Sequence, residues 1–328
     1  MENRGIRKVV VIGTGMMGPG IAQLFAAAGK QVTLVGRTPE SLARGRSTLE
    51  SNLRALQKED LISAEEVSGT LEAVASTTDL ASVASEADLV VESIVEDLPT
   101  KQALFAQLDR LCPEDRLIAS NTSGLPITRI SSRMDHPERA ATTHFWNPPH
   151  LMPLVEIVKG ERTSEETLQR LRAVLLEIGK SPVVVRKDVP GQLGNRLLHA
   201  ITREAMNIVQ EGIATAEEVD IAIKTGLGLR FPAYGPLEHA DLVGLDLVLS
   251  IQSYLLEDLC NRTDPMPILK EKAAQGDLGA RTGRGFYDWS QKDAAQVKAT
   301  RDAFLMARLK DLYPRLPVSP SSRTSGSP

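Results

Sequence analysis

The sequence is poor in cysteine. Only two cysteines occur among its 328 residues, Cys112 and Cys260, and they lie far apart in the chain. Two distant cysteines cannot form a framework of disulfides, and neither has the spacing to other ligands that a metal site needs. We therefore expect reduced thiols, a cytoplasmic location and no bound metal.

The sequence also lacks long apolar runs and a strong excess of either charge. No stretch reaches the roughly eighteen apolar residues of a membrane-spanning helix, and the apolar run at 9–12 is only long enough for a strand. A net charge of −4, with basic and acidic residues interspersed, argues against a nucleic-acid partner. We expect a soluble protein without a membrane partner. Its 328 residues, 42% of them hydrophobic, are enough for two domains.

The most informative segment is a glycine-rich loop near the start, between an apolar strand pattern and a helical pattern. The loop reads Gly13-Thr14-Gly15-Met16-Met17-Gly18. This G-x-G-x-x-G spacing in a strand–turn–helix setting is typical of a dinucleotide site. The first glycine permits a tight turn, the second lets a pyrophosphate approach the backbone, and the third lets the helix pack on the strand. Met16 and Met17 belong to the same candidate cofactor site. The alternative is a glycine-rich turn without a ligand.

The choice between NAD and NADP depends on the end of the next predicted strand, at 31–35. An NAD-binding unit usually has an acidic residue there for the ribose hydroxyls, but this chain has Gly36, followed by Arg37 and Thr38. Arg37 can pair with a 2′-phosphate, and Thr38 is a candidate helix N-cap. The pattern favours NADP as the cofactor. The alternative is NAD, with Arg37 as a solvated turn residue.

Short apolar segments alternate with helical patterns over the first part of the chain. Further strands are predicted at 71–75, 88–94, 116–119, 139–144, 154–158 and 182–185, and a helical hairpin at 39–69. This alternation predicts an α/β fold, a doubly wound Rossmann-type sheet domain at 1–187. Only helical patterns follow, one of them at 236–259, so residues 188–313 are predicted to form an all-α domain for substrate binding and dimerisation. Residues 314–328 are rich in Pro and Ser and are predicted to be disordered.

His144 and Glu156 are the candidate catalytic pair. His144 ends one predicted strand, and Glu156 lies within the next. If the two strands are neighbours, the carboxylate faces the imidazole. A carboxylate bonded to one ring nitrogen fixes the tautomer and leaves the other nitrogen to take the proton of an alcohol as its hydride departs. The alternative is a core histidine with a glutamate that faces solvent.

Several further motifs accompany this pair. They include His144-Phe145-Trp146-Asn147-Pro148-Pro149, Leu154-Val155-Glu156-Ile157-Val158, Val91-Glu92-Ser93-Ile94-Val95-Glu96-Asp97, Ser120-Asn121-Thr122-Ser123-Gly124, Lys187-Asp188-Val189-Pro190-Gly191 and Asn195-Arg196-Leu197-Leu198. With this set, nearly the whole chain resembles the 3-hydroxyacyl-CoA dehydrogenase family. The resemblance implies that His144 is the acid/base and Glu156 its partner, and that Ser123 and Asn195 hydrogen-bond the reacting oxygen. The residues that it places along the cofactor are Glu96, Lys101, Asn121 and Asn147.

The resemblance implies conversion of a 3-hydroxyacyl-CoA to its 3-keto form, as in fatty-acid metabolism, by a homodimer. The sequence departs from the family pattern around the expected substrate cleft, at Gly124, Trp146, His150 and Gln192. In these departures the chain resembles a branch of the family that acts on smaller, sometimes CoA-free acids, where His150 and Arg230 can meet a substrate carboxylate. The alternative is that both are solvated surface residues. A dehydrogenase of a free hydroxy acid or alcohol is therefore one alternative. Another is a nucleotide-sensing or structural protein without turnover.

Overall fold

The computed structural model describes residues 5–312, which form two compact units. The sheet unit contains the chain up to Leu193 together with the last helix from Thr300 onward, and the helical unit contains Gly194–Ala299. The disorder predicted for 314–328 lies outside the described residues. Within 5–312, no helix is both long and apolar enough to span a bilayer, and no three potential metal ligands cluster.

The sheet unit contains eight strands. They are β1 (Lys8–Ile12), β2 (Gln31–Val35), β3 (Val74–Thr77), β4 (Leu89–Glu92), β5 (Leu117–Ser120), β6 (Ala140–Phe145), β7 (Leu154–Val158) and β8 (Ser181–Val185). Their order is β3-β2-β1-β4-β5-β6-β7-β8, and every neighbouring pair is parallel except β6 with β7. The chain builds outward from β1 in one direction and then in the other. The carboxyl ends of β1 and β4 therefore form the switch point at which such sheets bind ligands.

Helices cover both faces of this sheet. They are α1 (Gly18–Ala27), α2 (Pro39–Lys58), α3 (Ala64–Glu72), α4 (Leu80–Ala84), α5 (Leu98–Leu111), α6 (Ile127–Ile130) and α7 (Glu165–Glu177). Alternate residues of β1 point to opposite faces, so Val9 and Val11 belong to one buried cluster and Val10 and Ile12 to the other. The predicted fold class, a Rossmann-type sheet followed by a helical domain, is confirmed.

The hairpin predicted at 39–69 is present as α2 and α3. A capping box between Ser63 and Glu66 starts α3, which then continues through Glu72. The strand predicted at 71–75 is therefore placed too early, because its first residues complete this helix before β3 begins.

The helical unit contains helices that were predicted in part. They are α8 (Gly194–Gln210), α9 (Ala216–Ala222), α10 (Gly228–Arg230), α11 (Pro236–Val243), α12 (Leu245–Leu255) and α13 (Pro267–Ala274), and α14 (Ala294–Leu312) continues into the sheet unit. The single helix predicted at 236–259 is wrong, because Gly244 adopts φ +97° and separates α11 from α12. Helix α14 was not predicted, since its apolar residues do not repeat on one face.

Candidate active site

The glycine-rich loop joins β1 to α1 at the switch point. A Cβ on Gly13 would lie 2.3 Å from the carbonyl oxygen of Ser93, and a Cβ on Gly18 would lie 1.8 Å from that of Gly13. Both positions therefore require glycine for close backbone contact. The Cβ position of Gly15 has no heavy atom within 4 Å, so the loop is open at the point where a pyrophosphate would approach.

The N-terminus of α1 follows directly. Met17 is its N-cap residue and makes no side-chain capping hydrogen bond. Met16 is 76% exposed beside it. The first backbone N–H groups of a helix attract anions, and a glycine loop in front of them suits a pyrophosphate. The residues present thus fit a dinucleotide, and contacts from Met16 and Met17 remain a prediction.

The end of β2 has a packing reason for its glycine. A Cβ on Gly36 would lie 2.8 Å from Cδ2 of Leu42 and 2.9 Å from the hydroxyl of Ser41. Thr38 caps α2 as predicted, because its hydroxyl accepts a hydrogen bond of 3.2 Å from the backbone N–H of Ser41. Arg37 is exposed next to this cap. Close packing by α2 therefore explains the missing acidic side chain without reference to a cofactor.

His144 and Glu156 lie directly opposite each other in the antiparallel pair β6–β7. His144 Nδ1 is 2.8 Å from Oε2 of Glu156, and the two residues are 6% and 0% exposed. With Nδ1–H donating to the carboxylate, Nε2 is the nitrogen that can exchange a proton with a substrate. The expected adjacency of the two strands is confirmed, and a catalytic role for the pair remains a prediction.

The carboxylate of Glu156 also accepts hydrogen bonds from Leu193 and Trp146. The backbone N–H of Leu193 donates to Oε1 at 2.8 Å, and Trp146 Nε1 donates to Oε2 at 3.0 Å. Sequence reasoning noted Trp146 only as a departure from the family pattern. Trp146 directly follows β6, and its contact with Glu156 depends on the pairing of β6 with β7 and on its rotamer, so the sequence alone gives no signal for it.

The loop that carries Ser123 is fixed by Glu96. Its Oε1 accepts hydrogen bonds from the hydroxyl of Thr122 at 2.5 Å and from the backbone N–H groups of Ser123 and Gly124 at 3.0 and 3.1 Å. Burial alone would raise the pKa of Glu96, but the Thr122 hydrogen bond, Lys101 and the two N–H groups together hold this pKa below its ordinary value. The Ser123 loop is therefore held by hydrogen bonds to the ionised carboxylate of Glu96.

Lys101 and Asn121 lie near this loop and are both buried. Lys101 Nζ donates to both carboxylate oxygens of Glu92 at 2.7 and 2.8 Å and lies 3.4 Å from Glu96. Asn121 accepts a hydrogen bond of 2.9 Å from the backbone N–H of Phe145. Glu92 was not singled out as a site residue, although a charged residue inside an apolar strand indicates a buried ion pair. These hydrogen bonds fix the side chains of Lys101 and Asn121 near the switch point. The cofactor contacts predicted for Glu96, Lys101 and Asn121 stay predictions.

The remaining candidates are placed differently. Asn147 is exposed in the loop after β6, whereas Asn195 lies at the start of α8 in the helical unit, and both predicted roles stay untested. Burial, with the charge of Lys180 adding to it, lowers the pKa of His150 to about 4. A neutral imidazole can still donate a hydrogen bond, and the suggested substrate contact of His150 stays a prediction. Arg230 is exposed in α10 of the helical unit, and its suggested contact is untested as well.

Two family models match the chain. The first, described as 3-hydroxyacyl-CoA dehydrogenase, NAD binding domain, matches residues 8–189, and the C-terminal domain of the same description matches residues 191–289. Helix α14 lies beyond both matched ranges.

Similar proteins cover most of the chain. The 5-formyl-3-hydroxy-2-methylpyridine 4-carboxylate 5-dehydrogenase of Mesorhizobium japonicum is 35% identical over 302 residues, covering 92% of this chain and 97% of that protein. The mitochondrial hydroxyacyl-coenzyme A dehydrogenase of Homo sapiens is 41% identical over 291 residues, covering 87% of this chain and 91% of that protein. A solved structure of a dehydrogenase of the same pyridine carboxylic acid, described as an NAD+-dependent dismutase, has a TM-score of 0.86 at 35% identity and covers 94% of this chain and 99% of its own.

Proposed function

This chain belongs to the 3-hydroxyacyl-CoA dehydrogenase family, and we propose that it interconverts a small hydroxyacyl substrate and its 3-keto form. As a member of this family it is an oxidoreductase of CH–OH groups with an NAD-binding domain. The observation that carries the proposal is the hydrogen bond of 2.8 Å between His144 and the buried carboxylate of Glu156. This pair lies toward the carboxyl end of β6, at the same edge of the sheet as the glycine-rich loop.

His144 is proposed to take the hydroxyl proton on Nε2 during oxidation and to return it during reduction. The bound dinucleotide supplies the acceptor for the hydride that leaves the same carbon. Glu156 keeps Nδ1 protonated, so Nε2 of the neutral imidazole is a base, and it stabilises the imidazolium that results. The alcohol thus loses one hydride and one proton, and the imidazole gains that proton.

Ser123 and Asn195 are proposed to hydrogen-bond the reacting oxygen. A hydroxyl and an amide N–H polarise a carbonyl without competing for the proton that His144 holds. Support for Ser123 comes from its loop, which Glu96 fixes through three hydrogen bonds. Glu96, Lys101, Asn121 and Asn147 are proposed to lie along the cofactor, as the family resemblance implies.

Two substrate classes are proposed. A 3-hydroxyacyl-CoA is supported by the relative from Homo sapiens, and a CoA-free hydroxy acid or alcohol by the relative from Mesorhizobium japonicum, whose name describes a pyridine carboxylate. Steady-state assays with acetoacetyl-CoA and with a panel of free keto acids separate them. A kcat/KM above about 10⁴ M⁻¹s⁻¹ on one class identifies the substrate, and no turnover with either class and either cofactor contradicts the proposed activity.

A preference for NADP is proposed from Arg37, which is exposed at the end of β2 where no acidic side chain repels a 2′-phosphate. NAD is the alternative. The matched domain is described as NAD binding and a similar structure as NAD+ dependent, so the comparisons do not support the NADP preference. The packing of Leu42 against Gly36 also weakens the sequence argument.

A homodimer is proposed from the apolar surface of the helical unit. No residue of α8, α9, α11, α12 or α13 is buried in the single chain. Large apolar side chains are exposed along these helices, including Leu197, Leu198, Ile201, Leu242, Leu245 and Leu249. So much exposed apolar surface is typical of an interface. The alternative is a bundle core within one chain, and the exposure of these side chains favours the dimer.

A further inference from the structure

The carboxylate of Glu156 accepts a side-chain hydrogen bond that the orientation of His144 does not require. His144 Nδ1 lies 2.8 Å from Oε2, and Trp146 Nε1 donates to the same oxygen at 3.0 Å. The backbone N–H of Leu193 donates to the other oxygen at 2.8 Å. An imidazole N–H and an indole N–H therefore share one carboxylate oxygen.

The end of β6 brings the two donors together. The rings of His144 and Trp146 are 6.1 Å apart and inclined by 51°, so they approach Oε2 from different directions. An indole N–H is a donor only, so it stays bonded to the carboxylate whether the imidazole is neutral or charged. Glu156 is 0% exposed, and its charge depends on hydrogen bonds within the protein.

We infer that Trp146 is a positioning residue that sets the proton affinity of His144 by sharing Oε2 of Glu156. The inference rests on the proposed acid/base role of His144. A carboxylate stabilises a neighbouring imidazolium through the negative charge on the facing oxygen. Because the indole hydrogen bond disperses part of that charge, the imidazolium is less stable and transfers its proton to a ketone more readily. The same bond holds the carboxylate in place while His144 changes its charge.

Replacement of Trp146 by Phe removes the N–H and keeps an aromatic ring. In alcohol oxidation the neutral imidazole is the base, so the acidic limb of the kcat/KM pH profile reports the protonation of His144. We expect this limb to move to higher pH by about half a unit to one unit, because the imidazolium becomes more stable. We expect kcat for ketone reduction to fall by about threefold to tenfold. Trp289→Phe is the matched control, since the chain has two tryptophans and Trp289 lies in the helical unit. Its pH profile should superimpose on that of the unmodified enzyme.

A second measurement needs no substrate. In a nitrogen–proton NMR spectrum, Trp289→Phe assigns the two indole N–H signals, because the signal that remains belongs to Trp146. The indole proton of Trp146 should resonate downfield of that of Trp289, since it is bonded to a carboxylate. In Glu156→Gln, whose side chain is a weaker acceptor, it should move upfield by at least about 0.3 ppm. The imidazole signal of His144 should titrate at higher pH in Trp146→Phe than in the unmodified protein.

These outcomes separate the inference from the proposed function. An indole signal that is unchanged in Glu156→Gln, or a His144 titration that is unchanged in Trp146→Phe, overturns the inference even if activity is lost, because a purely structural role alters kcat without moving the titration. Both NMR shifts without any turnover on either substrate class would support the hydrogen-bond relationship and contradict the proposed reaction.

Discussion

His144 and Glu156 are cross-strand partners in the antiparallel pair of the sheet, with Nδ1 and Oε2 2.8 Å apart. The antiparallel return of β7 beside β6 brings a residue twelve positions later in the sequence directly opposite the histidine. Two rigid strands therefore fix the imidazole and its carboxylate. This rigidity suits a proton transfer that must coincide with hydride departure.

Glu156→Gln tests the contribution of the carboxylate. The amide is similar in shape but carries no charge, so the imidazolium loses its stabilising partner and the tautomer of His144 is no longer fixed. We expect kcat to fall by about 10²-fold or more, with little change in the affinity for the dinucleotide. Steady-state kinetics and calorimetric titration give the two values. A kcat within twofold of the unmodified enzyme would contradict the assignment.

Glu96 predicts a pH dependence of stability. Its pKa in the folded protein lies below the ordinary 4.5, because hydrogen bonds and Lys101 outweigh the opposing effect of burial. The ionised form therefore stabilises the fold above pH 4.5, and this contribution disappears as pH falls through the folded pKa. Since Glu96 is 44% exposed, the contribution is below about 1 kcal/mol.

Glu96→Gln should accordingly lower the urea midpoint slightly at pH 7, and this difference should shrink at about pH 3.5. Glu72→Gln, an exposed glutamate at the end of α3, is the control and should leave the midpoint unchanged at both pH values. A destabilisation by Glu96→Gln that is equal at both pH values would show that the ionised carboxylate does not stabilise the loop.

Arg37 predicts the cofactor preference. A guanidinium–phosphate contact in a partly exposed site is worth about 1.5 to 3 kcal/mol, or about 10- to 150-fold in affinity. We expect NADPH to bind more tightly than NADH and Arg37→Ile to remove the difference. Arg37 is replaced alone, because a side chain on Gly36 would displace Leu42. Equal or tighter binding of NADH in a calorimetric titration would show that Arg37 is only a turn residue.

The helical unit predicts a homodimer. Light scattering at micromolar concentration should give twice the chain mass of 35.6 kDa. Leu249→Glu places a charge on α12 where the leucine is 67% exposed, and should weaken association. Leu176→Glu on α7, where the leucine is 48% exposed in the sheet unit, is the control and should remain dimeric. A monomer mass for the unmodified protein would contradict the dimer.

Local patterns were enough to predict much of the fold. The glycine loop, the strand at 31–35 and the adjacency of His144 with Glu156 follow from spacing and strand periodicity, which the structure preserves. The spacing could not reveal the break at Gly244, because it depends on a backbone angle that the helical pattern on either side conceals.

Contacts between distant residues could not be predicted in the same way. The reason for glycine at Gly36 is the position of Leu42, which only the docking of α2 determines. The indole hydrogen bond from Trp146 to Glu156 likewise depends on the pairing of two strands and on a rotamer. The sequence therefore predicts the candidate pair, while its surrounding hydrogen bonds require the structure.

The central claim is that His144 is the acid/base of a dinucleotide-dependent dehydrogenase, and His144→Gln tests it most directly. On the substrate identified by the assay panel, we expect kcat to fall by about 10²- to 10⁴-fold, because general acid–base catalysis supplies an acceleration of that size. The calorimetric Kd for the dinucleotide should change by less than about twofold. A kcat near that of the unmodified enzyme would remove His144 from the reaction and contradict the account.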